Sequence, residues 1–322
     1  MTAPAIADTE RTHTLVAARG DRPWAKAAAA SLAEHLDTVR GHAKELEGDV
    51  DIDAVHDMRT ATRRLRTAIT IYGGEAPNRD RKAVEAELRR IARHLGAVRD
   101  LDVLLETLSE AGRSTGSVAA DLRPLREAWE EERRAGTARL QSAIGRARFH
   151  RALDGVERLG RVPRRASAKH AGDRDVVDRI ATRAPALIMA ALGEVLAYEI
   201  DPLTADPVVI HEMRIEAKKL RYTLEAFEGA LEPGPTLIKE VTALQDAAGE
   251  MHDAIVAGAR ARSMLEAGEL HGRERDAVEA FAALQDGRVR HDRPIVRRNL
   301  AAVRGRAFRE SIGRAIAAMG TR

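Results

Sequence analysis

The chain has 322 residues, 44% apolar and 32% charged, with aromatics at only 3%. Ala, Leu, Arg and Glu dominate, a mix that favours helix over sheet, and the absence of cysteine removes disulfides, thiolate nucleophiles and Cys-based zinc sites. With 53 Lys and Arg against 50 Asp and Glu the formal charge is only +3, so any basic function has to come from local segregation of charge.

Residues 1–21, which open MTAPAIADTERTHTL, hold no basic stretch followed by an apolar one and are expected to be poorly ordered. No run of about 18 apolar residues occurs, so no membrane span is expected and the reading is of a soluble, cytoplasmic protein. A helix over LAEHLDTVRGHAKELEG precedes a basic helix that starts at Asp53 and stops near Gly73 and Gly74. A further helix covers IARHLGAVRDLDVLLETL (91–108). Residues 161–175, rich in Gly, Pro and basic side chains, read as a linker. Beyond it the order recurs: a helix, then a basic helix announced by Asp206 and Pro207 and ending near Gly229, then a partner helix over 244–261. No alternating Val/Ile run predicts strands. The fold class is therefore all-α, with repeat one at 22–160, repeat two at 176–316, and an antiparallel bundle of about four helices in each.

The repeat is direct. VHDMRTATRRLRTAITIYGG (55–74) aligns without a gap to IHEMRIEAKKLRYTLEAFEG (210–229), and the downstream segments 91–108 and 244–261 align loosely, with His252 opposite Arg99. At about 100° per residue, His56, Arg59, Arg63 and Arg66 fall on one face, beside a stripe of Met58, Leu65, Ile69 and Tyr72. His211, Arg214, Lys218 and Arg221 do the same beside Met213, Leu220, Leu224 and Phe227, while Arg64 points elsewhere. Like charges so spaced repel by a few tenths of a kcal/mol per pair, and a helix selected for folding alone would intersperse carboxylates. A face of this kind suits a row of phosphates, because arginine's fork donates two hydrogen bonds to one phosphate and stays charged.

Two plainer readings stand beside this one: a solvated basic face, or neutralisation of the arginines by Asp100, Asp102, Asp246 or Asp253. Arg93 and Arg99 would widen a basic groove, although a solvated helix face also accounts for them. No GxxxxGK[ST], GxSxG or HExxH is present and the histidines lack metal-ligand spacing, so neither an enzyme nor a metal or cofactor site is expected. A nucleic-acid backbone such as RNA is the alternative ligand. Single-strand binders stack bases on aromatics, and no aromatic lies on either basic face by helical geometry.

VHDMRTATRRLR and IHEMRIEAKKLRY resemble the two hallmark segments of the CHAD family, the conserved histidine α-helical domain, and LGAVRDLDV resembles the segment that follows the first. The resemblance covers residues 22–316. It implies two four-helix-type bundles about a pseudo-twofold axis, with a basic groove or pore between them that binds inorganic polyphosphate without catalysis. By the same resemblance the binding positions are His56, Arg59, Arg63, Arg66, His211, Arg214, Lys218 and Arg221, with Arg64 and Lys219 added. It also implies association with polyphosphate or polyhydroxyalkanoate granules in some members. Others carry a triphosphatase marked by an ExExK strand; the nearest match, Glu85, Glu87 and Arg89, has a helical pattern here.

Overall fold

The structure, a computed structural model, describes residues 20–48, 50–75, 78–115, 121–161 and 178–321. Residues 1–19 of the N-terminal segment and 162–175 of the expected linker lie outside the described residues. The helices are α1 (Trp24–Glu45), α2 (Ile52–Tyr72), α3 (Asn78–Thr115), α4 (Arg123–Ile144), α5 (Ala147–Gly160), α6 (Ile180–Leu196), α7 (Pro207–Ala226), α8 (Gly234–Glu266), α9 (Gly272–Arg304) and α10 (Arg306–Ala318). Among the described residues the one β-type pairing is an isolated antiparallel bridge between Pro23 and Arg179, so the chain is all-α. Glu85, Glu87 and Arg89 lie within α3, not on a strand.

The two basic helices form for local reasons. At the start of α2 the Asp51 carboxylate accepts a hydrogen bond from the Ala54 N–H at 2.6 Å. Asp53, which the sequence pointed to as the helix start, instead sits in the first turn, where its charge favours the positive end of the helix dipole. In α7 the Asp206 carboxylate accepts from the Val208 N–H at 2.8 Å, and Pro207 occupies the first turn, where no amide donor is needed. Val55, Met58, Ala61, Leu65, Ile69 and Tyr72 of α2, and Ile210, Met213, Ala217, Leu220 and Leu224 of α7, recur every three or four residues and are buried.

Among the described residues each half has five helices, where the sequence predicted about four. The difference arises at Gly145 and Gly305, where a continuous helical pattern breaks and turns. At Gly305 the backbone is extended, and a Cβ would lie 2.9 Å from the Ala302 carbonyl oxygen, so any other residue would force a shift. The turns carry Phe149 and Phe308 into the core, 0% and 2% exposed.

Equal-ranked helices of the halves meet: α1 with α6, α2 with α7, α3 with α8 and α4 with α9. At the beginning of α1 and α6, Trp24 N–H donates to Asp178 O at 2.7 Å and Ile180 N–H to Arg22 O at 3.1 Å. The halves share their cores. The larger apolar cluster joins Met58, Leu65, Leu88 and Leu95 to Met213, Leu220, Val241 and Leu244. Within it Trp24, Tyr72 and Phe227 form an aromatic trio with ring centroids 4.8, 6.2 and 6.4 Å apart. A second cluster, at the far ends of the long helices, joins Leu104, Leu108 and Trp129 to Ala257, Ala261 and Phe281.

Asp51→Ala is expected to lower the unfolding free energy by about 1 kcal/mol, through loss of the cap, and Asp53→Ala by only a few tenths. Urea denaturation of the two variants measures both, and equal losses would contradict the assignment of the cap to Asp51.

Candidate anion-binding site

Because α2 and α7 lie side by side, their basic faces converge. Lys218 of α7 lies within Coulomb range of Arg214 and Arg221 on its own helix and of Arg59 and Arg63 on α2. The guanidinium carbons of Arg63 and Arg221 sit 4.9 and 4.7 Å from the centroid of the Tyr222 ring, so a cation of each helix meets one aromatic. Helix α8 adds Gly249, His252 and Asp253, and α3 adds Asp100. The rings of His211 and His252 are 4.3 Å apart, and a Cβ on Gly249 would come 3.4 Å from Nε and Nη2 of Arg214, so the guanidinium lies against bare α8 backbone.

The electrostatics are strained in one direction. Lys218 is pushed down from 10.5 to about 7, first by burial and then by Arg214, Arg59, Arg63 and Arg221. Burial, followed by the charges of Arg214 and Lys218, lowers His211; His252 is lowered to about 4 by burial, then His211 and Arg214. Both imidazoles are therefore neutral near pH 7. Burial also raises Asp100 and Asp253, against the pull of Arg59, Arg214 and Lys218. Neither carboxylate forms an ion pair with those three cations among the described residues. Buried atoms without a hydrogen-bond partner include Nδ1 of His211, Nε of Arg214 and the Tyr222 hydroxyl. Four cations, Arg59, Arg63, Arg214 and Lys218, thus share one desolvated neighbourhood with two carboxylates that only partly offset them. Such an arrangement is what an anion relieves.

The other expected positions divide. His56 is half-buried on the same face of α2, one turn before Arg59. Arg221 is 5% exposed and paired with Glu225 at 3.1 Å, so it supports the cluster from within and does not line a surface. Arg66 faces Arg89 and Glu85 of α3, and Arg64 lies near the buried His35 of α1. Lys219 is turned outward, with Nζ 2.7 Å from Glu216. Arg99 lies near Asp102, whose carboxylate accepts from Arg133 Nε at 2.5 Å, and Arg93 is exposed on α3. Neutralisation by aspartates is thus partial: Asp100 and Asp253 reach the cluster, whereas Asp102 serves Arg133 and Asp246 lies near Glu250. Contrary to the sequence reading, an aromatic does enter the basic zone. Tyr222 is adjacent in sequence to Arg221, a signal that helical-face geometry set aside, but at 8% exposure it offers no surface for a base to stack on. Gly249 was legible only as the counterpart of Gly96 in the aligned segments.

Two cavities, of about 440 and 580 Å³, are lined by other residues: one between Gly20, Gly229 and Met319, the other beside the cluster between Glu250, Arg288, His291 and Asp292. An extended phosphate chain needs a strip of donors and no deep cavity.

Lys218→Met should be more stable than the parent at pH 6, and the gap should narrow as pH rises from about 7 towards 10.5. In that window the unfolded chain holds a proton that the folded chain has released, so parental stability climbs with pH. Thermal melts of both proteins across the range test this, and a gap independent of pH would contradict a desolvated Lys218.

No curated protein sequence matches the chain. Among solved structures it is similar to the CHAD domain from the plant Ricinus communis, with a TM-score of 0.70 and 20% identity over 89% of this chain and 95% of that one. It is also similar to PptA from Streptomyces chartreusis, with a TM-score of 0.64 and 18% identity over 86% and 99%. At such identities these neighbours speak to the fold. The CHAD domain family model matches residues 30–262, a span that takes in both basic helices and most of α8, and the chain belongs to the CHAD domain family.

Proposed function

We propose that the protein binds inorganic polyphosphate, without chemical turnover, along the cationic faces that α2 and α7 bring together. The convergence of Arg59 and Arg63 with Arg214 and Lys218 carries this reading, since Arg59 and Lys218 are desolvated beside one another's charges and the four cations are repeated in kind from one half to the other. The three arginines of the set offer planar forks that grip phosphate oxygens in pairs, and His211 contributes a neutral ring that takes up a proton once phosphate charge arrives. Among the described residues no group of three or more His, Asp and Glu is arranged to hold a metal ion. RNA ranks second, because the one aromatic of the zone is buried. The cytoplasm is the proposed compartment, with attachment to granules through the bound polymer. No described helix is long and apolar enough to cross a membrane.

Log affinity for polyphosphate is expected to fall linearly with log salt, with a slope near −3 for about four neutralised phosphates. Replacing Arg59, Arg63, Arg214 and Lys218 together with Ala should abolish retention on a polyphosphate column while circular dichroism stays helical. Retention unchanged in that variant, affinity indifferent to salt, displacement by RNA of equal phosphate content, or release of orthophosphate would each overturn the reading.

A further inference from the structure

The α3 and α8 helices are equivalent in register yet opposite in charge. Val84, Leu88, Ile91, Leu95 and Val98 of α3 are buried, and so are their counterparts Leu237, Val241, Leu244, Ala248 and Met251 of α8. Asp100 and Asp253, both facing the cationic cluster, occupy matching places. Moving back along each helix from that aspartate, the two paths diverge.

On α3 the path crosses Gly96 and Ala97, which carry almost no side chain, and reaches the exposed Arg93 seven residues away, about 10 Å along the axis. Next to it His94 lies within Coulomb range of Arg90, Arg93, Arg139 and Arg146, at the corner where α3, the end of α4 and the start of α5 meet. Glu87, the acid of this corner, is engaged by Arg90 through Nε at 2.9 Å and by Arg148 at 3.4 Å. Arg93, Arg139 and Arg146 are exposed and form no ion pair among the described residues, and of the three only Arg146 lies within Coulomb range of Glu87. Burial and these arginines together hold His94 below its usual range, a sign of excess positive potential.

On α8 the same steps meet Glu250 in place of Ala97 and Asp246 in place of Arg93. Glu250 is raised by burial and then by Asp292 and Asp246, against the pull of Arg288, so three carboxylates face one another here, and the cavity of about 580 Å³ opens between Glu250 and Asp292 on one hand and Arg288 and His291 on the other. A polyanion is drawn across the first flank and repelled from the second.

We propose that a linear polyphosphate held between α2 and α7 leaves the cluster on the first-half side only, over Gly96 and Ala97 to Arg93 and onto a second phosphate-binding patch formed by Arg139 and Arg146. This rests on the polyphosphate reading and adds to it a direction and a dependence on chain length. A short chain fills the central cluster alone, and a long one engages both.

Binding of tripolyphosphate and of long-chain polyphosphate to the full chain, by titration calorimetry at several salt concentrations, tests the track. In R93A/R139A/R146A the long chain should bind about tenfold more weakly, with a salt slope shallower by about two, while tripolyphosphate binds as before. In D246A/E250A the long chain should bind as well as or better than it does to the parent. An unchanged long-chain slope in the first variant, equal losses for both ligands, or weakened long-chain binding in the second would overturn the track while leaving the central site in place. If the unaltered protein bound neither ligand, the central site itself would fall and the track with it.

Discussion

The structure depends on a packing that is electrostatically unfavourable in isolation: two helices of like charge held against each other. Arg59 and Arg63 on α2 and Arg214 and Lys218 on α7 share a space from which water is partly excluded. Apolar burial behind them holds them there. Met58, Leu65, Ile69 and Tyr72 on one helix and Met213, Leu220, Leu224 and Phe227 on the other all join a single core. Each fully buried large apolar side chain contributes roughly 1.5–3 kcal/mol, so the eight together outweigh the cost of holding Lys218 desolvated among arginines. The core therefore wins, and the surplus is available to keep cations poised for an anion. Trp24 adds to this by wedging against both Tyr72 and Phe227, the two equivalent aromatics at the ends of the basic helices.

Much of this was legible in the sequence, because the repeat makes each signal appear twice. The helical class, the paired basic faces and the apolar stripes followed from spacing alone. Asp206 with Pro207 marked its helix start correctly, whereas Asp53 drew attention from Asp51, since both are acids near the start and only backbone geometry shows which one caps. The count of helices per half was missed because a glycine such as Gly145 or Gly305, within a long helical pattern, reads as tolerable until its backbone is seen to turn.

The limits at the site have a similar origin. A helical wheel places side chains about one axis and is blind to what packs opposite. It grouped Arg66 with the cluster, yet Arg66 faces α3, and it did not show that Arg221, close to Lys218, is enclosed beside Glu225 and Tyr222. Conversely, His252, Asp253 and Asp100 join from other helices, a contribution that no single-helix pattern contains. Lys219, adjacent to Lys218, ends up bonded to Glu216 on the outside, because one residue step turns a side chain by about 100°.

The two apolar clusters have a mechanical corollary. Val98 and Met251 belong to the larger one, Leu101 and Ala257 to the smaller, so the cations lie near the level where α3 and α8 pass from one cluster to the other. Both clusters draw side chains from both halves, which fastens the halves together on either side of that level. The molecule has no jaw to open: prising the halves apart would expose one core or the other to water. Whatever reaches the cations therefore meets a frame already set by the two cores, with the halves held in place before it arrives.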